Sequence, residues 1–248
     1  MKRLLASLFI LSLVQVKGQT IVNTYDLITP IDSVWSATTE LQGTFASGNG
    51  VYGALNSGLG LGRSIGPNTQ AWLIGGYNYA SESGNAIYST GFVNARLHYS
   101  ITKTLELQVF YQKQFNSALQ IKQRNLGGLN LSKSILTEEF NYKFILGGFQ
   151  ELEIYSDNSG KDLTRGNFST SITTEFSKID VNLTIYCQPA ISNIRDYRML
   201  GELAVQFPIT EQLEFEIESA LRFDSDPHLN LMPLDFSTVL GVVYSISN

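Results

Sequence analysis

The amino-acid sequence predicts an all-β protein, a transmembrane antiparallel β-barrel of about twelve strands preceded by a cleaved signal peptide. Three features predict this class: an apolar targeting segment at the N-terminus, a nearly unbroken alternation of apolar and polar residues, and aromatic residues near the ends of the alternating segments. Side chains along a strand point to opposite faces in turn, so alternation produces one apolar and one polar face. In a membrane barrel the apolar face contacts lipid and the polar face lines the lumen.

The first element is a secretory signal, predicted over residues 1–18. Two basic residues precede an apolar run from Leu4 to Val14, and small or modest residues follow it. The run is well short of the roughly 20 apolar residues that a spanning helix needs, which favours a cleaved signal over an uncleaved anchor. We therefore expect a short periplasmic N-terminal segment at 19–33 and an outer-membrane β-barrel at 34–248.

Composition limits the classes of partner. The 248 residues include 17 Lys and Arg against 22 Asp and Glu, a formal net charge of −5. An acidic chain without a basic run repels phosphate backbones, so we expect no nucleic acid as a partner. The single cysteine, Cys187, cannot form an internal disulfide. We expect no cofactor and no metal.

The alternating segments predict the strands one by one. Connections after the second, fourth, eighth and tenth segments are short, the connection "SKSILTE" after the sixth is somewhat longer, and several of those at the other end are long and polar. Short turns at one end and longer loops at the other are typical of outer-membrane barrels. The predicted strands lie near 34–47, 51–63, 69–81, 86–101, 104–116, 119–131, 138–155, 163–176, 179–189, 194–207, 212–224 and 234–246.

A soluble periplasmic β-sandwich that acts as a binding protein is the alternative fold, because its strands also alternate. Its strands are usually five or six residues long, whereas the predicted segments reach the 9 to 11 that cross a bilayer at a tilt. The apolar positions carry aromatic residues near both ends, such as Trp35 and Phe176 at one end and Phe45 and Phe236 at the other. Two aromatic belts suit the two lipid interfaces and favour the barrel.

Charged residues occupy the polar face of several strands. In "LEFEIESALRFDSDP" the residues Glu214, Glu216 and Glu218 alternate with apolar residues, so they are predicted to face the lumen. Eight strands enclose a filled interior and sixteen to eighteen leave a water channel, so about twelve strands allow either a narrow pore or a plugged barrel.

A lumen or selectivity cluster is predicted at the loop end of the tenth and eleventh strands. If "PITE" forms the turn, residues 198 and 222 lie opposite each other, and diagonal ion pairs join Asp196 with Arg222 and Arg198 with Asp224. The cluster is either a structural set of ion pairs that sets strand register or a site that orients or selects solutes.

The same predicted register places Glu202 opposite Glu218. Two like charges side by side require a cation, a proton or a basic side chain from across the lumen. The predicted lumen cluster is therefore Asp196, Arg198, Glu202, Glu218, Arg222 and Asp224.

The loop after the eleventh strand carries the only set of residues that suggests catalysis. Asp224, Asp226, His228 and Asp235 combine carboxylates with an imidazole, which could activate water in an outer-membrane hydrolase. Their spacing matches no calcium or zinc motif, and acidic residues between prolines are common in rigid solvated turns. We predict no catalytic residues and no enzyme activity, with the hydrolase kept as an alternative.

Four short motifs resemble a known family. They are "SGNG" in the first loop, "RNLGGLNL" beginning at Arg124, "DYR" at Asp196 to Arg198, and "FDSDP" at Phe223 to Pro227. Over roughly residue 34 to the end, the chain resembles the YdiY-like family of salt-stress-induced outer-membrane proteins, a barrel family that is a domain of unknown function. The resemblance implies an outer-membrane location and an association with salt or osmotic stress, and it supplies no catalytic residues.

The sequence as a whole predicts a narrow solute or ion channel, or a structural, salt-stress-associated envelope protein. The expected partners are outer-membrane lipid, the outer-membrane assembly machinery, and small solutes or ions.

Overall fold

The computed structural model describes residues 28, 31, 34–47, 51–210, 213–229 and 231–244. The predicted signal peptide lies outside the described residues. Within them the chain forms twelve β-strands. The strands are β1 (Trp35–Ser47), β2 (Val51–Gly66), β3 (Thr69–Glu82), β4 (Asn85–Thr102), β5 (Leu105–Asn116), β6 (Ile121–Leu136), β7 (Phe140–Tyr155), β8 (Gly160–Phe176), β9 (Ile179–Pro189), β10 (Tyr197–Pro208), β11 (Leu213–Asp224) and β12 (Leu234–Tyr244).

The strands form one antiparallel sheet in which each strand pairs with the next along the chain. At one end, called the turn end, the connections are two to four residues long and comprise residues 67–68, 103–104, 137–139, 177–178 and 209–212. At the opposite end, called the loop end, they include the longer segments 190–196 and 225–233. This asymmetry and the even strand count match the prediction. None of the described residues forms a helix long and apolar enough to span a membrane.

Two details of the predicted strands are wrong. Residues 132–136, predicted as part of a connection, continue β6, and the backbone of Leu136 pairs with that of Asn141 in β7. Serine and lysine in this stretch suggested a turn, but their side chains keep the alternation, since Ser132 is buried and Lys133 exposed. The turn between β10 and β11 also differs, because Pro208 remains in β10 and pairs with Glu214.

The exterior of the sheet is apolar and the interior is largely polar. Val93 and Leu129 are 55% and 58% exposed, whereas their polar neighbours Asn94 and Asn130 are buried. A soluble sandwich buries its apolar face, so this inverted distribution contradicts that alternative. It is the distribution of a barrel that contacts lipid on its outer surface.

Amides and rings fill the middle of the interior. Asn94 donates to Gln112 at 3.0 Å, and the rings of Phe110 and Phe149 meet edge to face with centroids 6.2 Å apart. Glycine is required where strands and large side chains approach closely. A side chain on Gly128, for example, would overlap the backbone of β7.

Candidate functional site

Seven charged residues meet inside the sheet near the loop end, and we call them the ion-pair layer. Their positions follow from alternation: Glu151 and Glu153 are two residues apart on β7 and therefore share the inner face. The layer draws residues from β6, β7, β8, β10, β11 and the loop before β10. Its members are Arg124, Glu151, Glu153, Arg165, Asp196, Arg198 and Asp224.

Glu151 lies at the centre of the layer. One of its carboxylate oxygens accepts from Arg124 Nε at 2.5 Å and from Arg198 Nη1 at 2.6 Å. The other oxygen accepts from Arg165 Nε at 2.5 Å. Three guanidinium groups on three different strands therefore share one carboxylate. Hydrogen bonds between two charged groups are the stronger class, and they fix the geometry of these side chains.

Arg198 connects strands that are not neighbours. Its Nε donates to Asp224 Oδ2 on the adjacent β11 at 2.8 Å, and its Nη2 donates to Glu153 Oε2 on β7 at 3.0 Å. Two strands, β8 and β9, separate β7 from β10 in the sheet. The side chain of Arg198 therefore extends across the interior rather than along the wall.

The layer excludes solvent. The side chains of Arg124, Glu151, Glu153, Arg165 and Arg198 are at most 2% exposed. Four carboxylates oppose three guanidinium groups, so the layer carries a small excess of negative charge. At this level, buried charged side chains connect β7 and β10 across the interior.

The structure brings together only some of the predicted cluster. The ion pair between Arg198 and Asp224 is present, with the two residues directly opposite in register. Asp196 instead pairs with Arg165 Nη2 at 3.0 Å, so its predicted pairing with Arg222 is wrong. Arg222 donates to Ser237 Oγ at 3.1 Å and contacts Glu202 at 3.4 Å.

The predicted pairing of Glu202 with Glu218 is also wrong. Glu202 lies opposite Ala220, and Glu218 lies opposite Ala204. The observed register differs by two residues from the predicted one because the connection begins after Pro208 rather than before it. The charge of Glu202 is therefore compensated by an arginine, and no like-charge pair forms at this point.

Four members of the layer were absent from the predicted site, namely Arg124, Glu151, Glu153 and Arg165. Arg165 is fully buried, and besides its ion pairs it donates from Nη1 to the carbonyl oxygen of Gln188 at 3.2 Å. Glu153 Oε2 accepts hydrogen bonds from Arg198 Nη2 at 3.0 Å and from the hydroxyl of Tyr155 at 2.7 Å, and its other oxygen lies 3.1 Å from Arg124 Nε as an ion pair. The only signal in the sequence is the "ELE" of β7, a pair of carboxylates on the inward face of an apolar strand.

Three of the four residues of the alternative hydrolase have separate partners. Asp224 pairs with Arg198, and Asp226 pairs with Lys161 at 2.7 Å. His228 lies 3.4 Å from Asp157, which belongs to a different loop. Among the residues that the structure describes, no group of three or more His, Cys, Asp or Glu could hold a metal ion. Asp224, His228 and Asp235 line one small cavity, in which Asp224 is held by Arg198 and His228 lies against Asp157.

The same loop instead covers the loop end of the barrel. The His228 ring stacks on Tyr155 with centroids 3.8 Å apart and planes 3° apart. Hydrogen bonds from Lys161 lower the pKa of Asp226, and hydrogen bonds from Ser159 lower the pKa of Asp157. A cavity of about 20 Å³ remains between this loop and the ion-pair layer, which is room for about one water molecule.

Comparison with known proteins identifies the family. A model of the family described as "Protein of unknown function, DUF481" matches residues 39–246. The chain belongs to the DUF481 family. The predicted resemblance to a barrel family of unknown function is thereby confirmed. No curated protein matches this DUF481 chain.

Solved structures with the same architecture are porins and other barrels. The DUF481 chain is similar to the NanC porin, with 11% identity, a TM-score of 0.50, and coverage of 86% of this chain and 100% of that one. It is also similar to the KdgM porin (9% identity, TM-score 0.47, coverage of 86% and 99%). A further match is the translocator domain of the autotransporter NalP from Neisseria meningitidis (13% identity, TM-score 0.48, coverage of 90% and 92%).

Fold and surface together locate the protein. The likeness to the NanC porin shows the barrel fold, and the exterior of the DUF481 barrel carries exposed apolar residues along its strands. Lipid is the medium that such a surface requires, because an apolar band of this kind would be unfavourable in water. The protein is an outer-membrane β-barrel, and in barrels of this class the long loops are extracellular and the short turns periplasmic.

Proposed function

We propose that the protein is a narrow outer-membrane channel for ions or small solutes, held closed at its outer end by the ion-pair layer. The observation that carries this proposal is the chemical nature of the closure: the side chains that cross the lumen are charged and paired. They include Glu151, Arg165 and Arg198, all of which are buried.

Charged filling suits a gate better than a permanent core. Replacing buried ion pairs by well-packed apolar residues is often neutral or stabilising, so closure alone does not require charges. Separated ion pairs can be hydrated by water entering the lumen, whereas a separated apolar core cannot. Because Arg198 has partners on β7 and β11, movement of this one side chain breaks the contacts that cross the interior.

A structural, salt-stress-associated envelope barrel is the second candidate. It is favoured by the packing at mid-lumen, where Phe110 contacts Phe149 and amides bond to each other. In that case the ion-pair layer serves only to hold the strands in register. The assembly machinery and the salt-stress association remain predictions for both candidates.

Single-channel recording in a planar bilayer tests the proposal. We expect the refolded mature protein to show rare, small openings, and Arg198→Ala to open far more often. The variant should also prefer cations more strongly, because four carboxylates would then oppose two guanidinium groups. Arg195→Ala is the matched control, since this arginine lies three residues away in the loop and its side chain is exposed.

Two results would contradict the channel. One is silence of wild type and Arg198→Ala at every voltage, from protein shown to be folded and inserted, which would favour the structural barrel. The other is an equal increase in current for Arg195→Ala and Arg198→Ala, because the buried contacts would then have no special role in closure.

A further inference from the structure

One part of the inner wall, on β3, is apolar. On β3, Trp72 and Ile74 point inwards and are 3% and 0% exposed. Their cross-strand neighbours on β4 are the polar residues Arg96 and Asn94. Apolar side chains on a lumen wall would be in contact with water unless other apolar groups cover them.

The wall is shaped to receive large groups. Trp72 lies over Gly62 of β2, where an added Cβ would be 2.5 Å from the indole ring. Phe92 of β4 lies in the same way over Gly76 of β3, where an added Cβ would be 2.6 Å from the phenyl ring. Because these positions are glycines, the rings lie closer to the neighbouring strand than a side chain there would allow. We call Trp72, Ile74 and Phe92 the apolar wall.

Two residues that precede β1 cover the apolar wall. Ile28 and Ile31 pack against Trp72 and Ile74, and both isoleucines are half-buried. Trp72 is the fourth residue of β3, so this contact lies near the turn end of the barrel. The predicted periplasmic segment therefore contributes two side chains, those of Ile28 and Ile31, to the interior of the barrel.

We propose that Ile28 and Ile31 form a stopper that seals the periplasmic mouth of the lumen against small solutes. The proposal rests on the proposed channel and adds a second closure, because the stopper lies at the turn end and the ion-pair layer at the loop end. The occupant of the apolar wall is the chain itself. Burial of apolar surface provides the attraction, and covalent continuity with β1 keeps the stopper close to its site.

Quenching of Trp72 fluorescence by acrylamide, a small neutral solute, tests the seal without requiring any current. The chain has two tryptophans, and Trp35→Phe leaves Trp72 as the single reporter. In that background we expect Ile28→Asp with Ile31→Asp to raise the quenching constant several-fold, because charged side chains leave an apolar surface. The matched control, Ile28→Leu with Ile31→Leu, should keep the low constant of the parent.

Folding and function have separate controls. Heat-modifiable mobility on gels reports whether each variant forms the barrel, and Ile28→Ala with Ile31→Ala replaces the aspartate pair if that pair does not fold. An unchanged quenching constant in a folded variant overturns the stopper. Failure of the channel looks different, because Arg198→Ala combined with Ile28→Asp and Ile31→Asp, which removes both closures, would then carry no current, while the accessibility of Trp72 would still report the seal.

Discussion

The stability of the ion-pair layer can be tested by replacing its central carboxylate with an amide of the same shape. Glu151→Gln keeps the volume but removes the charge that three guanidinium groups share. Breaking a buried ion pair by neutralising one partner costs about 3 to 5 kcal/mol. Hydrogen bonds to charged groups contribute about 1.5 to 3 kcal/mol each, but the amide oxygen still accepts one or two of them. We therefore expect a loss of about 3 to 5 kcal/mol in the free energy of unfolding.

The assay is equilibrium unfolding in urea from lipid vesicles, followed by tryptophan fluorescence. Asp226→Asn is the control, because it breaks an exposed ion pair in which the aspartate side chain is 62% exposed. That change should lower the free energy of unfolding by less than about 1 kcal/mol, because exposed ion pairs contribute no more than this to stability. If Glu151→Gln unfolds within about 1 kcal/mol of wild type, the layer does not hold the barrel together and the energetic argument for a gate is refuted.

Three further outcomes follow from the geometry. Gly147→Ala should destabilise the barrel by roughly 1 to 3 kcal/mol or more in the same urea assay, because a methyl group there would overlap the backbone of β6. Gly201→Ala is the control and should be tolerated, because a methyl group at that position would have no neighbouring atom within 4.0 Å. The pKa of Asp226 is lowered, so its pairing with Lys161 stabilises the loop above the ordinary aspartate pKa of about 3.9 and is lost as the pH falls through the lowered value. Carboxyl-carbon NMR titration should show Lys161→Ala returning that pKa towards the ordinary value, and no change would contradict the ion pair. His228→Ala removes the ring stack, so protease cleavage within 225–233 should accelerate while the barrel remains intact, and equal cleavage rates would show that the stack does not hold the loop.

In the two proposals, the ion-pair layer and the stopper close the barrel by two different kinds of contact. The outer closure depends on charge, but its central ion pairs are buried, so dissolved salt screens them much less than it screens exposed pairs. The inner closure depends on apolar contact of Ile28 and Ile31 and responds little to salt.

Much of the fold was accessible from the sequence because alternation is a local property. Each strand shows its two faces in its own residues, so the number of strands, their order, the apolar exterior and the inward direction of Arg198, Arg222 and Asp224 follow without knowledge of the other strands. The errors lie where local patterns are ambiguous. Serine and lysine within 132–136 suggested a turn in a stretch that continues β6, and a proline at the end of β10 left the register uncertain by two residues.

The sequence alone determined that charged side chains point into the lumen, but only the tertiary structure decided which of them meet. Arg198 bonds to Glu151 and Glu153 on a strand three positions away in the sheet, and Asp196 bonds to Arg165. These pairings depend on the curvature of the sheet and the stagger of its strands, which are set by the whole barrel rather than by any segment. The spacing of residues within one strand determines which face each side chain occupies. Contact across the interior depends on the radius of the barrel, which all twelve strands set together.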